Sequence, residues 1–191
     1  MNESGRDVWV KAALAELAAG GVDRVRVEVL AGRLGVTKGG FYRRFRDRRH
    51  LLDALLESWA AGRIAAIEQQ TRHDGDDARE RLTSLIRLYA ERVNTEAMAV
   101  ELAVRQWART DAAAAAAVAA VDTARLGNVA QLYGACGLPA EEARARAFLF
   151  YSFVFGQSLI FLDPASPGKR GRLTARCAAL LTDPGPADTG I

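Results

Sequence analysis

Apolar residues recur at helical spacing along most of this 191-residue chain, and glycine and proline clusters cut the pattern into separate lengths. Trp9, Val10, Ala13, Leu14 and Leu17 share one face, which Gly20-Gly21 ends. Val27, Leu30, Ala31 and Leu34 share another, ended by Gly35. Thr37, a favoured N-cap residue, opens a third segment that runs to Phe45. Asp47 is placed to cap a long amphipathic helix carrying Leu51, Leu52, Leu55, Leu56 and Trp59. Beyond a polar, glycine-containing stretch, further helices are expected over Ala78–Asn94, Thr95–Thr110, Asp111–Gly134, Glu141–Leu162 and Leu173–Leu181. Ala112–Ala117 suits a helix interior. Pro139 suits a helix start. Residues 163–171 read as a loop. No segment reads as a run of strands, so the expected fold is all-α.

Charge is distributed unevenly over this framework. Residues 1–50 hold eleven Lys and Arg against six Asp and Glu, while the remainder holds fifteen against seventeen. Between Arg24 and Arg49 stand nine cations and two anions, Glu28 and Asp47. A compact basic block beside a near-neutral remainder fits a polyanionic partner for the first part alone, or a solvated face. Two cysteines, Cys136 and Cys177, are too few for a disulfide framework and fit a reducing cytosol. The first ten residues lack the basic-then-apolar pattern of a signal peptide. A cytoplasmic location is the expectation.

The segment from Val27 to Phe45 has the makings of a helix corner. Ala31 lets two short helices approach, Gly35 takes a left-handed turn, and Leu30, Leu34, Val36 and Phe41 pin the angle. The second helix of such a pair fits the major groove of DNA, its first turn toward base edges. Gly39 and Gly40 remove side chains where that helix comes close to something. Lys38 projects from the same end. Tyr42, Arg43 and Arg44 reach phosphate oxygens, by a neutral and by charged hydrogen bonds respectively. Arg48 and Arg49 add cations beside the groove. Phe41 and Phe45 belong to the core.

These residues resemble the DNA-binding segment of the tetracycline-repressor (TetR) family of bacterial transcriptional regulators. The helix-turn-helix, the Gly-Val-Thr-Lys-Gly run at 35–39, the Tyr42 and Phe45 pair and the Leu-rich helix that follows match in order and spacing over roughly fifty residues. The resemblance implies a homodimer whose two heads bind a palindromic operator, with Thr37, Lys38, Gly39, Tyr42 and Arg48 where the family touches DNA. Arg44 stands where His or Arg commonly precedes the Phe. Arg26 stands where the family often has a Thr that caps the helix and touches phosphate, so the cap must come from elsewhere or be absent. The implied organisation is a head over 1–50, a helical effector-binding and dimerisation part over 51–185, and a tail over 186–191.

In the larger part, residues 147–162 are apolar nearly all round. The run is shorter than the roughly 20 residues a bilayer needs and contains Ser152, Gln157 and Ser158. A helix packed on its own domain by one face and on a twin subunit by another fits better. Phe148, Tyr151, Phe155 and Leu159 form one stripe, and Phe150, Phe153, Val154 and Phe161 form a second. The second stripe, with Gly156 and with Leu173, Cys177 and Leu180 of the last helix, is the expected dimer seam. Trp59, Tyr89, Met98, Leu102, Gln106, Trp107, Tyr151 and Phe155 suit a site for a flat, mostly apolar effector, and equally suit plain core packing.

Other chemistries find little support. His50 and His73 have no companions at metal-ligand spacing. The acidic stretch 74–80 lacks the ligand order of a calcium loop. Neither a phosphate-cradling glycine loop nor a nucleophile elbow is present. The expectation is a regulator rather than an enzyme, without metal or cofactor, binding double-stranded DNA and released by a small hydrophobic effector. The alternative is a helix-turn-helix protein with no effector.

Overall fold

In the computed structural model, residues 5–71, 77–91, 95–160 and 167–183 are described. They form α1 (Gly5–Gly20), a 3₁₀ turn (Val22–Arg24), α2 (Val27–Leu34), α3 (Lys38–Tyr42), α4 (Arg48–Thr71), α5 (Ala78–Glu91), α6 (Thr95–Trp107), α7 (Ala112–Ala135), α8 (Ala140–Leu159) and α9 (Pro167–Thr182). No strand occurs among the described residues. Packing divides the helices into two units. The first holds α1 to α3, α4 as far as Ile64, α6, and α7 as far as Asp122. The second holds the rest of α4 and α7 with α5, α8 and α9. This grouping gives α6 and half of α7 to the unit of the expected head, because α6 packs along α1.

Local chemistry explains most of the boundaries. Gly21, at φ 82°, ends α1, and its N–H returns to Leu17 O at 2.7 Å. Gly35, at φ 65° and ψ 30°, ends α2 in the left-handed conformation expected of it, while Val36 N–H bonds Ala31 O at 3.0 Å. Asp47 caps α4 as expected, its Oδ1 accepting the His50 N–H at 2.8 Å. Asp111 Oδ1 caps α7 by accepting from Ala113 and Ala114. The last helix departs from expectation. It begins at Pro167, so residues 167–171 are helical rather than loop. Pro is tolerated in a first turn. Arg170 Nη2 donates to Gln157 O at 2.8 Å, tying that turn to α8 despite two glycines.

The first unit is organised around an aromatic cluster. Trp9 of α1 meets the Phe41 ring edge-on at 5.3 Å, and Phe41 stacks on Phe45 at 5.4 Å. Phe41 is fully buried, and Leu17, Leu30, Leu51 and Leu55 complete the core around it. A second tie is ionic. Glu16 of α1 is 5% exposed and accepts from Arg24 Nε and Nη2 at 3.1 and 3.0 Å and from Arg33 Nη1 at 2.8 Å. One carboxylate thereby joins α1, the 3₁₀ turn and α2. The Arg33 and Arg24 hydrogen bonds hold it below the ordinary glutamate range. Deeper in this unit, Glu101 is 2% exposed and bonds Arg105 Nε at 2.9 Å, while Arg105 also reaches Asp122.

The second unit packs α5 and α8 against α9. Leu82, Leu85, Ile86, Tyr133, Phe150, Tyr151 and Val154 fill its centre. Tyr133 donates its hydroxyl to Leu181 O at 2.8 Å, and burial pushes that phenol up to about 12. Arg125 is 8% exposed, with its guanidinium over the Tyr151 ring at 5.7 Å and the Phe155 ring at 5.5 Å.

Two outcomes follow from the first unit. Phe41→Ala should lose about 3–5 kcal/mol in urea denaturation, as deleted core aromatics do. A loss below about 1 kcal/mol would contradict the packing described. Glu16 contributes stability above its unfolded value near 4.5, and that contribution disappears as pH falls through the lower folded value. Glu16→Gln should therefore unfold at lower temperature at neutral pH, with the gap to the native chain closing on acidification. Parallel melting curves at every pH would refute this.

Candidate nucleic-acid interface

α3 is five residues long and contains two glycines, so its own propensity cannot hold it. Phe41 holds it from below, and the opposite face points outward. Thr37, Lys38, Gly39, Arg43 and Arg44 are exposed, Gly40 is half-buried, and Tyr42 is 60% exposed. A methyl built on Gly40 meets nothing within 4 Å, and one on Gly39 meets only Thr37 Oγ1 at an ordinary 3.6 Å. Neither glycine has a positive φ. The fold itself therefore does not require glycine at either position.

The cations of this surface are largely occupied within the chain. Lys38 Nζ lies 2.7 Å from Glu28 Oε1, and both side chains are more than half exposed. That hydrogen bond raises the lysine and lowers the carboxyl. Arg44 Nη1 donates to Gly40 O at 2.9 Å, and Arg26 Nε to Asp23 O at 3.0 Å. Arg49 bridges Asp53 and Asp111 at 2.8 and 2.7 Å. Arg43 and Arg46 have no side-chain hydrogen bond or ion pair among the described residues.

Two expectations for this surface need correction. Arg48 is half-buried, and its Nε and Nη2 donate to Val25 O and Val22 O, both at 2.6 Å. Its guanidinium closes the turn before α2 instead of standing free for phosphate. Thr37 occupies the N-cap position of α3 with extended backbone, but its hydroxyl makes no cap bond. Arg26, at the N-cap of α2, makes no side-chain cap bond, one of the two outcomes its sequence left open.

The residues expected to line an effector site divide between the units. Trp59, Met98, Leu102, Gln106 and Trp107 lie in the first; Tyr89, Tyr151 and Phe155 lie in the second. Gln106 is exposed, against expectation, because its position on α6 faces away from the core. Trp59 is buried, and its Nε1 has no hydrogen-bond partner among the described residues. Tyr89 donates its hydroxyl to Gln70 Oε1 at 2.9 Å and packs edge-on against Phe150. The sequence pattern did not single out Arg125, since its burial depends on aromatic rings distant in sequence.

The expected dimer stripe is also corrected. Phe150 and Val154 are buried within the chain itself, Phe150 against Tyr89 and Tyr151, so neither is left for a partner. Phe153, Gly156, Leu173 and Cys177 instead line an apolar groove of about 160 Å³ between α8 and α9. Leu149, Ile160, Leu173 and Leu180 are exposed. Phe161 lies outside the described residues. Among the described residues, no helix is long and apolar enough to cross a membrane, and no cluster of His, Cys, Asp and Glu is arranged to hold a metal.

Comparison with known proteins agrees with this geometry. Residues 10–55 match the bacterial regulatory proteins of the tetR family. An uncharacterized HTH-type transcriptional regulator from Mycobacterium bovis is 35% identical over 89 residues, which span 47% of this chain and 44% of that protein. The match thus spans less than half of that relative's length. Among solved structures, a regulatory protein of the tetR family from Rhodococcus RHA1 shares the fold at TM-score 0.67 and 19% identity, over 95% of this chain and 96% of that one. A transcriptional regulator from Saccharomonospora viridis, solved in complex with choline, shares it at TM-score 0.69 and 20% identity, over 93% of each chain. Residues 10–55 thus match the helix-turn-helix part of the tetR family in sequence, and the fold is shared with a solved regulator of that family along nearly the whole chain.

Proposed function

We propose that the protein is a repressor that binds a palindromic operator as a homodimer and is released by a small hydrophobic effector. The observation that carries this reading is the tip of α3. Its two glycines answer no need of the fold, and they stand beside the exposed Tyr42 and Arg43. Such a surface suits close approach to a duplex, with Lys38, Tyr42, Arg43 and Arg44 toward phosphates and the first turn toward base edges. Residues 1–50 act as the head, and 51–185 serve effector binding and dimerisation.

The apolar α8–α9 face supports two-fold pairing of chains. Leu173 and Leu180 are large apolar side chains that water otherwise meets. Pairing sets two heads about 34–36 Å apart, one helical turn of DNA. For the effector, the aromatic groups Tyr89, Tyr151 and Phe155 of the second unit support a mostly apolar ligand. The related regulator solved with choline supports small-molecule binding on this fold. The effector acts by favouring a state whose heads no longer match the half-site spacing.

The test is to select an operator from random duplexes, then compare two arginines. Arg43→Ala should weaken operator binding about tenfold and shallow its salt dependence by about one counterion per head, with thermal stability unchanged. Arg48→Ala should lower the melting temperature instead, since it removes two carbonyl hydrogen bonds. Unchanged binding by Arg43→Ala, or no salt-sensitive preference for any duplex, would end the proposal.

Gly40→Ala separates folding from recognition. It should leave the chain equally stable or more stable, by up to about 1 kcal/mol. It should also weaken operator binding at least tenfold, because the added methyl faces outward. A variant that binds as tightly as the native chain would show that nothing approaches there.

A further inference from the structure

We propose that the second unit carries a separate polar binding site for a small hydroxylated monocarboxylate. It is a cleft of about 450 Å³ where the end of α4, the start of α5 and the last turns of α7 meet. That volume lies within the usual range for small-molecule sites. None of the aromatic residues assigned to the hydrophobic effector lines it.

The periodicity of two helices builds the walls. Glu68 and Thr71 stand three apart on α4. Asn128, Gln131 and Leu132 stand three and four apart on α7, so each set shares a face. Arg81 of α5 closes the opposite side, and the buried Leu132 provides an apolar floor. This gives a lining of one permanent cation, one carboxylate, two amides, one hydroxyl and a hydrocarbon patch.

The hydrogen-bond inventory shows what this lining lacks. Arg81 Nε is shut off from solvent and has no hydrogen-bond partner among the described residues. A buried charged donor is costly to leave unmade, and a guanidinium edge matches the two oxygens of a carboxylate. Asn128 uses one amide hydrogen on Ala124 O at 2.8 Å, which leaves its second N–H. Thr71 directs its hydroxyl hydrogen to Ile67 O at 2.9 Å and Asn128 Oδ1 at 3.2 Å, so its oxygen keeps acceptor capacity. Gln131 is exposed at the rim. Glu68, also at the rim, is exposed and has an interaction of its own. Its negative charge disfavours polyanions, which selects one carboxylate over several. A carboxylate paired with Arg81, with hydroxyls toward Thr71, Asn128 and Gln131, matches the polar groups of the cleft other than Glu68.

Titration calorimetry on the full chain without DNA tests this independently of operator binding. The probes are 4-hydroxybenzoate and gluconate, with 4-hydroxybenzamide as the uncharged isostere. The expected result is saturable one-to-one binding of a carboxylate, with the benzamide about tenfold weaker or worse. Arg81→Gln should abolish binding and Asn128→Leu weaken it about tenfold, whereas Tyr151→Phe should leave it unchanged. If Arg81→Gln fails to fold by circular dichroism, Gln131→Leu at the exposed rim gives the same readout. Binding of both carboxylates weaker than about 1 mM overturns the proposal. So does equal binding of acid and amide, or binding that the cleft substitutions leave unchanged.

Discussion

A five-residue helix with two glycines has no standing of its own in water, so the recognition element exists only because Phe41 is buried. Trp9 from α1 and Phe45 from the turn after α3 enclose that ring. Deleting a buried aromatic forfeits several kcal/mol, whereas the two glycines of α3 disfavour it by roughly 1 kcal/mol each. The anchor therefore outweighs the weakness it supports. Gly35 sets the angle at which the anchored helix leaves α2, and Arg48 fixes the turn before α2 through Val22 and Val25. Position and orientation of the outward face follow from those few contacts.

The second unit meets a different constraint, the accommodation of polar groups among apolar ones. Arg125 lies over two aromatic faces, and Tyr133 keeps its proton by burial and a carbonyl bond. Gln157 donates to Tyr89 O at 3.1 Å, yet its Oε1 is buried without a partner among the described residues. Buried polar groups left partly satisfied are where ligand chemistry gathers in a helical bundle. In the first unit the buried carboxylates Glu16 and Glu101 are both met by guanidinium groups, while Trp59 Nε1 is left without a partner among the described residues.

What the sequence made legible was local. Gly35 and Asp47 act where their residue types act in general, and the apolar spacing marked every described helix, with α9 placed too late. The opening turn of α9 escaped because glycines and a proline mask a helix whose ties to α8 lie outside the local pattern. Arg48 escaped for a related reason. A cation in a basic block reads as a surface charge, and only the fold brings the carbonyls of Val22 and Val25 within its reach. The periodicity of α8 marked apolar stripes but not which stripe turned inward. Burial of Phe150 was decided by Tyr89 and Tyr151, and only the first of these lies far off in sequence.

The pairing of the head's cations bears on how such a molecule finds its target. Lys38, Arg24, Arg33 and Arg49 already have carboxylate partners, and Arg48 has two carbonyls. Sequence-independent adhesion to DNA grows with the number of phosphates neutralised. On the proposed reading, pairing of these cations reduces the number free to neutralise phosphates, while residues 1–50 keep five more cations than anions. Residence time on that reading falls to the few groups still able to engage, at a duplex that lets α3 come close.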